Sequence, residues 1–320
     1  MTQEIPGVTY IVPVYNKARH LEAVLAAIRA QVGEFRRQYV FVDDGSTDGS
    51  LDQLQRLTAG WPDTVIVTQR NGGSARATNV GIRLASLPFL KFVDADDLLT
   101  RDATAVLLSA QHRTGAVAAF GDRSFFSDPA EVDLAAKGDA APEWEVIHDP
   151  LPRALRNSLF NPTQFLAPAD AVRQAGGCDE RVVHSQEYSL TLRLARQGHF
   201  VHVKQRVAWL AEDASGRLSN DTGRQLQRVT RAVGFFVGDH PELPWTMRQA
   251  AYRRACGRAW KHQRRHRGAG IGSSWFWSNV LAYLPLPRDH ARGIASAALA
   301  FDPPPSDVPA GMRAPAASGR

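Results

Sequence analysis

The fold of this 320-residue sequence is best read from residues 89–99, Phe89-Leu90-Lys91-Phe92-Val93-Asp94-Ala95-Asp96-Asp97-Leu98-Leu99. Its short apolar run predicts a buried strand, which ends in three carboxylates within four residues. Like charges at close range raise one another's pKa, so such a cluster is unfavourable without a positive partner. Oxygen ligands with no Cys or His beside them favour Mg²⁺ or Mn²⁺ over zinc.

The acidic end of this stretch has a second interpretation. Acidic turns between a strand and a helix are common, and Asp96 or Asp97 would then cap a helix that starts near Leu98. Both interpretations place the acids at the carboxyl end of a strand.

Earlier parts of the chain repeat the pattern of an apolar run followed by a polar loop. Strands are predicted at residues 8–16, 39–48 and 65–67, with helical spacing of apolar residues between them. This alternation predicts an α/β fold with a mainly parallel central sheet flanked by helices. Ligands bind such sheets outside the carboxyl ends of the strands, where these polar loops lie. Neither G-x-G-x-x-G after the first strand nor G-x-x-x-x-G-K-S/T is present, so a dinucleotide fold and a P-loop are unsupported.

The elements after the acidic cluster follow weaker patterns. The spacing predicts a helix that continues from Leu99 through residues 105–108, and a strand at 117–122. A surface excursion at 128–149 could help to shape an acceptor site. Helices are predicted at 169–175 and from 185 onward, a strand at 200–203 and a loop at 209–219.

From residue 222 the sequence becomes helical and basic. One helical face carries apolar residues, residues 252–267 are rich in arginine, and the aromatic Trp275-Phe276-Trp277 follows. This region could lie on an anionic bilayer, or it could pack on the preceding domain with a charged outer face. We predict a catalytic-type domain over 1–221, a basic helical extension over 222–301 and a disordered tail over 302–320.

Composition is that of a globular protein, with 44% hydrophobic and 22% charged residues. The net charge of +6 comes mainly from residues after Arg217, so it says little about the first half. Two cysteines are too few for a disulfide framework or a zinc site. No signal peptide is apparent, and no uncharged apolar segment reaches the roughly 18 residues of a membrane span. We expect a cytoplasmic protein, with any peripheral membrane contact at the cytoplasmic face of the inner membrane, and no nucleic-acid partner.

Four ordered motifs resemble those of the family 2 glycosyltransferases of GT-A fold. They lie at residues 11–16 (IVPVYN), 42–48 (VDDGSTD), 71–79 (NGGSARATN) and 93–97 (VDADD). The resemblance implies a nucleotide-diphospho-sugar transferase fold, a nucleotide-sugar donor, and a Mg²⁺ or Mn²⁺ cofactor. It also implies an inverting reaction on a glycan or glycolipid acceptor, in polysaccharide, glycolipid or cell-envelope glycan synthesis.

By this resemblance, the first two strands would hold the base of the donor. Pro13 and Tyr15 would line the base pocket, with the Tyr15 ring stacked on the base; a core aromatic is the alternative for Tyr15. Asp44 would accept a hydrogen bond from the base, and Asp43 would support the loop or help to hold the nucleotide. Turn-forming chemistry beside Gly45 is the alternative for both acids.

The resemblance also assigns the phosphate end of the donor site. Arg76 would approach the diphosphate from a helix N-terminus, which itself favours anions; a solvated surface arginine is the alternative. Asp94 would face the ribose and Asp96 the metal, with Asp97 nearby or capping the helix.

Similar enzymes carry a G-G-F-D-E-like segment, then Glu-Asp or a near variant whose second acid is the general base. Here residues 176–180 are Gly-Gly-Cys-Asp-Glu, and the base position falls on Glu187. Gln186 replaces the usual first acid and can only form hydrogen bonds. Glu187 is one methylene longer than Asp, which changes the reach of the base; a helix-dipole role in a first turn is its alternative.

Relatives often have an Arg-x-His…Ser loop that closes over the diphosphate. At residues 209–219 the His is absent, which leaves Arg217 and Ser219 as candidate contacts, with a plain polar loop as the alternative. Two rival functions also stand: a nucleotidyltransferase, and a non-catalytic protein that keeps the fold for binding or scaffolding. The first normally needs a Gly-rich, basic loop after the first strand, which is not visible here.

Overall fold

The computed structural model describes residues 5–133, 142–183, 186–212 and 222–301. Its first half alternates strands and helices as predicted. The elements are β1 (Gly7–Val14), α1 (Ala18–Arg29), β2 (Arg36–Asp43), α2 (Ser50–Leu57), β3 (Thr64–Thr68), α3 (Ser74–Leu84) and β4 (Phe89–Phe92).

The second half begins with β5 (Leu98–Leu99), α4 (Ala103–Thr114), β6 (Ala118–Phe126), β7 (Trp144–Ile147), α5 (Leu151–Ala154), β8 (Phe165–Pro168) and α6 (Ala169–Gln174). It ends with α7 (Gln186–Leu194), β9 (Phe200–Ala211), α8 (Thr222–Asp239), α9 (Trp245–Arg267), α10 (Ser274–Leu281) and α11 (His290–Ala298). Single turns of 3₁₀ helix lie at Pro129–Glu131 and Pro162–Gln164.

All the strands of the described chain join one sheet in the order β3-β2-β1-β4-β8-β6-β9-β5, with β7 beside β9. The four strands from β3 to β4 are parallel neighbours, so their carboxyl ends share one edge. Beyond β4 the sheet is mixed, because β8 is antiparallel to both β4 and β6. The loops that follow β1, β2, β3 and β4 therefore lie at the same edge of the sheet.

The acidic stretch continues differently from the sequence-based prediction. Leu98 and Leu99 form a short antiparallel strand against Trp209 and Ala208 of β9, and α4 begins only at Ala103. Both leucines are buried, and their pairing partners lie more than a hundred residues away, where local pattern cannot detect them. The predicted helix near Leu98 is wrong, and Asp97 caps no helix there.

Two further predictions are corrected around β9. This strand extends to Ala211 rather than ending near 203, so the predicted loop at 209–219 is wrong for its first three residues. Part of the predicted excursion at 128–149 is a strand, because β7 pairs with β9. Arg217 and Ser219, the predicted diphosphate contacts, lie outside the described residues.

The C-terminal helices share a hydrophobic core with the sheet. Val233 and Phe236 of α8 are buried in the same cluster as Phe165 and Phe200. Several small residues of α9 join this cluster, namely Ala251, Ala255, Cys256 and Ala259. Packing on the preceding domain, one of the two expectations for this region, is therefore observed for α8 and α9.

Lys91 is a lysine inside the sheet. It is fully buried on β4, and its Nζ donates to the carbonyl oxygens of Thr163 at 2.6 Å and Phe92 at 3.0 Å. Burial lowers the pKa of Lys91 to about 7, although the nearby charges of Asp94 and Asp97 act in the opposite direction. A buried lysine, only partly protonated at neutral pH, thus lies beneath the acidic strand end.

The packing of α3 on β1 yields a first prediction. A Cβ added to Gly81 of α3 would clash with Cγ2 of Ile11, a β-branched side chain held in the sheet core. We expect Gly81→Ala to lower the free energy of unfolding by about 1–3 kcal/mol, measured by urea denaturation. Gly257→Ala in α9 is the matched control, because its Cβ would make only an ordinary contact and alanine favours a helix. Equal or higher stability of Gly81→Ala would contradict this close packing.

The buried lysine yields a second prediction. Its pKa is 10.5 ordinarily and about 7 in the folded protein, so between these values the unfolded state binds more protons. Raising the pH through this window therefore favours the folded state. We expect the free energy of unfolding of the wild type to rise, relative to Lys91→Met, from pH 7 towards about pH 9.5. Lys204→Met, at an exposed lysine, should keep the wild-type slope; the same slope in Lys91→Met would disprove the lowered pKa.

Candidate functional site

The loops after β1 and β2 are bonded to each other at the carboxyl edge. Asn16 adopts a left-handed conformation (φ 52°), its N–H donates to Ser46 Oγ at 3.0 Å, and its Oδ1 accepts from the Thr47 N–H at 2.8 Å. Next to this junction Tyr15 is 46% exposed, so the core-aromatic alternative is wrong. Its ring is open to solvent at the rim of the site, and the stacking role stays a prediction.

Asp43 and Asp44 are both buried and both hold loops. Asp43 accepts from Thr68 Oγ1 at 2.9 Å and, at a longer distance, from the Ser46 N–H. Asp44 accepts from the Gly72 N–H at 2.9 Å and the Gly73 N–H at 2.8 Å. The turn-forming chemistry beside Gly45 is present for Asp43, through Ser46, whereas Asp44 bonds the loop after β3 instead. Contacts of both acids with a nucleotide stay predictions.

The charge state of Asp44 reflects two opposing effects. Burial raises its pKa, while the side chain of Gln69 and the two glycine N–H groups oppose that rise. The Gln69 bond, at 2.7 Å, is the third that this carboxylate accepts. A carboxylate has about four lone-pair positions, so little capacity remains for a base.

Arg76 lies in the first turn of α3, above the glycine loop. Its side chain is exposed and passes so close to Gly72 that a Cβ there would contact Arg76 Cδ. The guanidinium therefore lies at a helix N-terminus, as predicted, and the alternative of a solvated surface arginine remains open.

Asp94 and Asp97 are linked through Thr163. The backbone N–H of Asp94 donates to Thr163 Oγ1 at 3.0 Å, and this hydroxyl donates to Asp97 Oδ2 at 2.9 Å. Asp97 is buried and also accepts from the Ala211 N–H, whereas Asp94 is half-buried and lines a pocket. The buried carboxylate of Asp97 therefore holds the acidic turn in place through these two hydrogen bonds.

Asp96, the predicted metal ligand, forms an ion pair with Lys17. Lys17 Nζ lies 2.6 Å from Asp96 Oδ2, and only 8% of the Asp96 side chain is exposed. Within the described residues no three Asp, Glu, His or Cys side chains converge to hold an ion by themselves. Mg²⁺ is commonly bound by one or two carboxylates together with substrate phosphates. The residues present fit an ion shared with a bound diphosphate, with Asp96 as the protein ligand.

The second half of the chain reaches this edge through α7. Ser74 Oγ, at the start of α3, donates to Gln186 Oε1 at 2.7 Å and lies 3.1 Å from the Val183 carbonyl oxygen. Gly73 (φ 86°) packs against Val183 so closely that any Cβ would clash with it. These contacts bring the N-terminus of α7 against the N-terminus of α3.

Glu187 therefore projects into the same pocket as residues from the first half. The pocket is lined by Glu187 and Gln186 together with Pro13 and Asp94. Loss of solvent raises the pKa of Glu187 to about 7, although the N–H groups of Glu187 and Tyr188 at the helix start act in the opposite direction. A carboxyl with this pKa can exchange a proton near neutral pH.

The segment before α7 is held rigidly. Asn79 Nδ2 donates to the Cys178 carbonyl at 2.9 Å, and Asn79 Oδ1 accepts from the Cys178 N–H at 2.8 Å. Arg193 donates to the Gly177 carbonyl at 2.9 Å and pairs with Asp179 at 3.2 Å. These contacts give Arg193 a structural role.

Three residues of this site were not predicted from sequence. Lys17 is the counter-ion of Asp96, Lys91 is the buried cation under the acidic turn, and Thr163 joins Asp94 to Asp97. A lysine inside the apolar run of β4 was a visible signal, because burial of an unpaired charge is costly. Nothing local marks Thr163, which reaches the site from a distant 3₁₀ turn.

Solved structures share this fold. The chain is similar to S. aureus TarS 1–349 in complex with UDP-GlcNAc, with a TM-score of 0.63 at 14% identity, over 86% of this chain and 79% of that one. It is also similar to a mannosyltransferase of Pyrobaculum calidifontis in complex with GDP-Man and Mn²⁺, with a TM-score of 0.55 at 17% identity, over 93% and 86% of the two chains. At these identities the likeness confirms the predicted fold.

Sequence comparison gives the family. The chain is 27% identical to a chondroitin synthase of Pasteurella multocida (strain Pm70) over 202 aligned residues. The aligned region covers 62% of this chain and 20% of that protein. The chain thus spans about a fifth of the length of this relative. The model of the family described as Glycosyl transferase family 2 matches residues 9–168, which is half of the 320-residue chain. The protein therefore belongs to glycosyl transferase family 2.

Proposed function

We propose that the chain transfers one sugar from a nucleotide-diphosphate donor to an acceptor hydroxyl, with inversion at the anomeric carbon. The observation that carries this proposal is Glu187, a carboxyl with a raised pKa in the same pocket as Asp94 and Pro13. In a single displacement one carboxylate, here Glu187, takes the proton of the acceptor, and the configuration is inverted. The site is built from both halves of the chain.

The donor would lie along the carboxyl edge of β1, β2 and β4. Tyr15 is exposed where a base can stack, and Asp94 lines the pocket where a ribose can bind. Lys17 and Arg76 supply positive charge on the same edge. The structural neighbours contain UDP-GlcNAc or GDP-Man by their names, which supports a nucleotide-sugar donor for this chain.

In the proposed reaction Glu187 removes the proton of the acceptor hydroxyl. The acceptor oxygen forms a bond to the anomeric carbon as the bond between that carbon and the diphosphate oxygen breaks, and its electron pair leaves with the diphosphate. A bound Mg²⁺ or Mn²⁺, held by Asp96 and the phosphates, would add positive charge beside the leaving group. Gln186 is held by Ser74 and would position the start of α7.

The acceptor is proposed to be a glycan or glycolipid. The chondroitin synthase relative supports a polysaccharide product, and the chain corresponds to only part of that protein. We place the reaction in the cytoplasm, where the two free, buried cysteines Cys178 and Cys256 would stay reduced.

The base assignment predicts the kinetics of Glu187→Gln. This change keeps the shape of the side chain but removes its ability to accept a proton, so we expect turnover to fall about 100-fold or more. Donor binding, measured by calorimetry with a panel of nucleotide sugars, should be unchanged. Turnover can be measured as donor hydrolysis, with water as the acceptor. Near-normal turnover in Glu187→Gln would refute the assignment.

The pH profile gives an independent check on the same residue. Because the base must be ionised and its pKa is about 7, we expect kcat/KM of the wild type to rise with pH and level off above about 7. Glu187→Gln should lose this inflection. Glu187→Asp is the matched control, since it keeps an ionisable carboxyl on a shorter chain and should retain the inflection at lower activity.

The metal assignment predicts the behaviour of Asp96→Ala. Removing the only proposed protein ligand should abolish turnover and the Mn²⁺-dependent part of donor binding. Calorimetry with and without Mn²⁺ measures that part of donor binding. Lys17→Met is the matched control, because it breaks the same ion pair and leaves the carboxylate in place. Lys17→Met should keep Mn²⁺-dependent donor binding; if both variants lose it equally, the ion pair and not a metal ligand is responsible.

A further inference from the structure

The outer face of α10 is apolar and exposed. None of the residues of α10 is buried, and Trp277, Val280 and Leu281 are 53%, 39% and 44% exposed. The spacing i, i+3, i+4 places these three side chains on one face, and Leu284, in the turn after the helix, is 46% exposed. Other exposed apolar side chains flank them in the sequence, namely Ile271, Tyr283 and Leu286. We name the seven residues the α10 face.

The opposite side of α10 is fixed on α9. Phe276 packs edge-to-face on Trp260 with ring centroids 5.2 Å apart, and Gln249 Nε2 donates to the Ala282 carbonyl at 2.7 Å. The guanidinium of Arg253 lies 4.0 Å from the ring centroid of Tyr283. The apolar side chains therefore point outward from a helix with defined packing.

Positive charge surrounds the α10 face. Residues 245–301 contain ten Arg and Lys against one Asp, a net charge of +9, whereas the whole chain carries +6. The contacts of Phe276 with Trp260 and of Tyr283 with Arg253 define an antiparallel register between α10 and α9. Arg264 and Arg265 are exposed in the last turn of α9, shortly before Ile271 in the chain.

We propose that the α10 face is a peripheral membrane anchor that inserts into the interface of an anionic phospholipid bilayer. Trp and Tyr favour the headgroup level, aliphatic side chains favour the acyl boundary, and arginines at the rim bind anionic headgroups. No helix of the described residues is long and apolar enough to cross a bilayer, so the contact would be peripheral. A second copy of the chain is a poor occupant, because residues 245–301 of the two copies, each with a net charge of +9, would repel each other.

The helix α9, which carries α10, is connected to the pocket. Arg254 and Arg258 of α9 both donate to the Arg156 carbonyl and to Asn157 Oδ1. The chain continues from Asn157 to Pro162, which lines the pocket. An acceptor carried in the bilayer would thus approach the pocket beside the anchor. Membrane binding itself does not depend on the proposed transfer reaction.

Flotation of the full chain with vesicles tests the proposal. We expect binding to vesicles of phosphatidylglycerol and phosphatidylcholine in equal parts, weaker binding at high salt, and little binding to phosphatidylcholine alone. The double variant Trp277→Ser and Leu281→Ser should bind at least about tenfold more weakly, because it removes two exposed apolar side chains from the interface. Arg264→Gln with Arg265→Gln should also bind about tenfold more weakly and show a smaller salt effect.

Phe125→Ser is the matched control, because Phe125 is 49% exposed on β6, outside the α10 face. It should bind vesicles like the wild type, and all variants should keep the wild-type melting temperature. The proposal is overturned if the full chain does not float with anionic vesicles at low salt, or if the double serine variant binds like the wild type. It is also overturned if light scattering shows that the wild type forms an oligomer and the double serine variant does not, while both bind vesicles equally. The α10 face would then join copies of the chain.

Discussion

The site depends on one constraint: acidic side chains gathered at the edge of a parallel sheet must each find a partner. Strand polarity brings Asp43, Asp44 and the acids after β4 to the same edge. The protein satisfies them with different groups, which are a threonine hydroxyl for Asp43, glycine N–H groups for Asp44 and a lysine for Asp96. Each such bond also fixes a loop, so the contacts that satisfy these acids also set the shape of the site.

A second requirement is that two distant parts of the chain meet. Gly73 allows its loop to approach Val183, and Ser74 then binds Gln186, so α3 and α7 begin side by side. Glu187 follows directly and enters the pocket that Asp94 lines. Its pKa of about 7 is a consequence of this placement, because the approach of the two halves removes water from the carboxyl. The Glu187 carboxyl and the turn after β4 therefore share one pocket.

The sequence predicted the parallel half of the sheet well, because each strand and helix there is encoded by local periodicity and the loops carry recognisable motifs. It failed where pairing is long-range. Leu98 and Leu99 gave no local sign of the strand they form with β9, and Thr163 gave none of its link between Asp94 and Asp97. Lys17 and Lys91 show a third case: their residue type was visible, but the partner of each cation depends on tertiary contacts. The apolar outer face of α10 likewise depends on which side of the helix meets α9.

The pairing of Leu98–Leu99 with Trp209–Ala208 also bears on how the protein folds. Closing a loop of this length is entropically costly, and contacts between residues far apart in sequence slow folding. During synthesis, the turn that carries Asp96 and Asp97 has no strand beside it until β9 has left the ribosome. The edge built from β1, β2 and β3 can take shape early, whereas the acidic corner is completed only when β9 has been made, so these two parts of the proposed site would mature at different times.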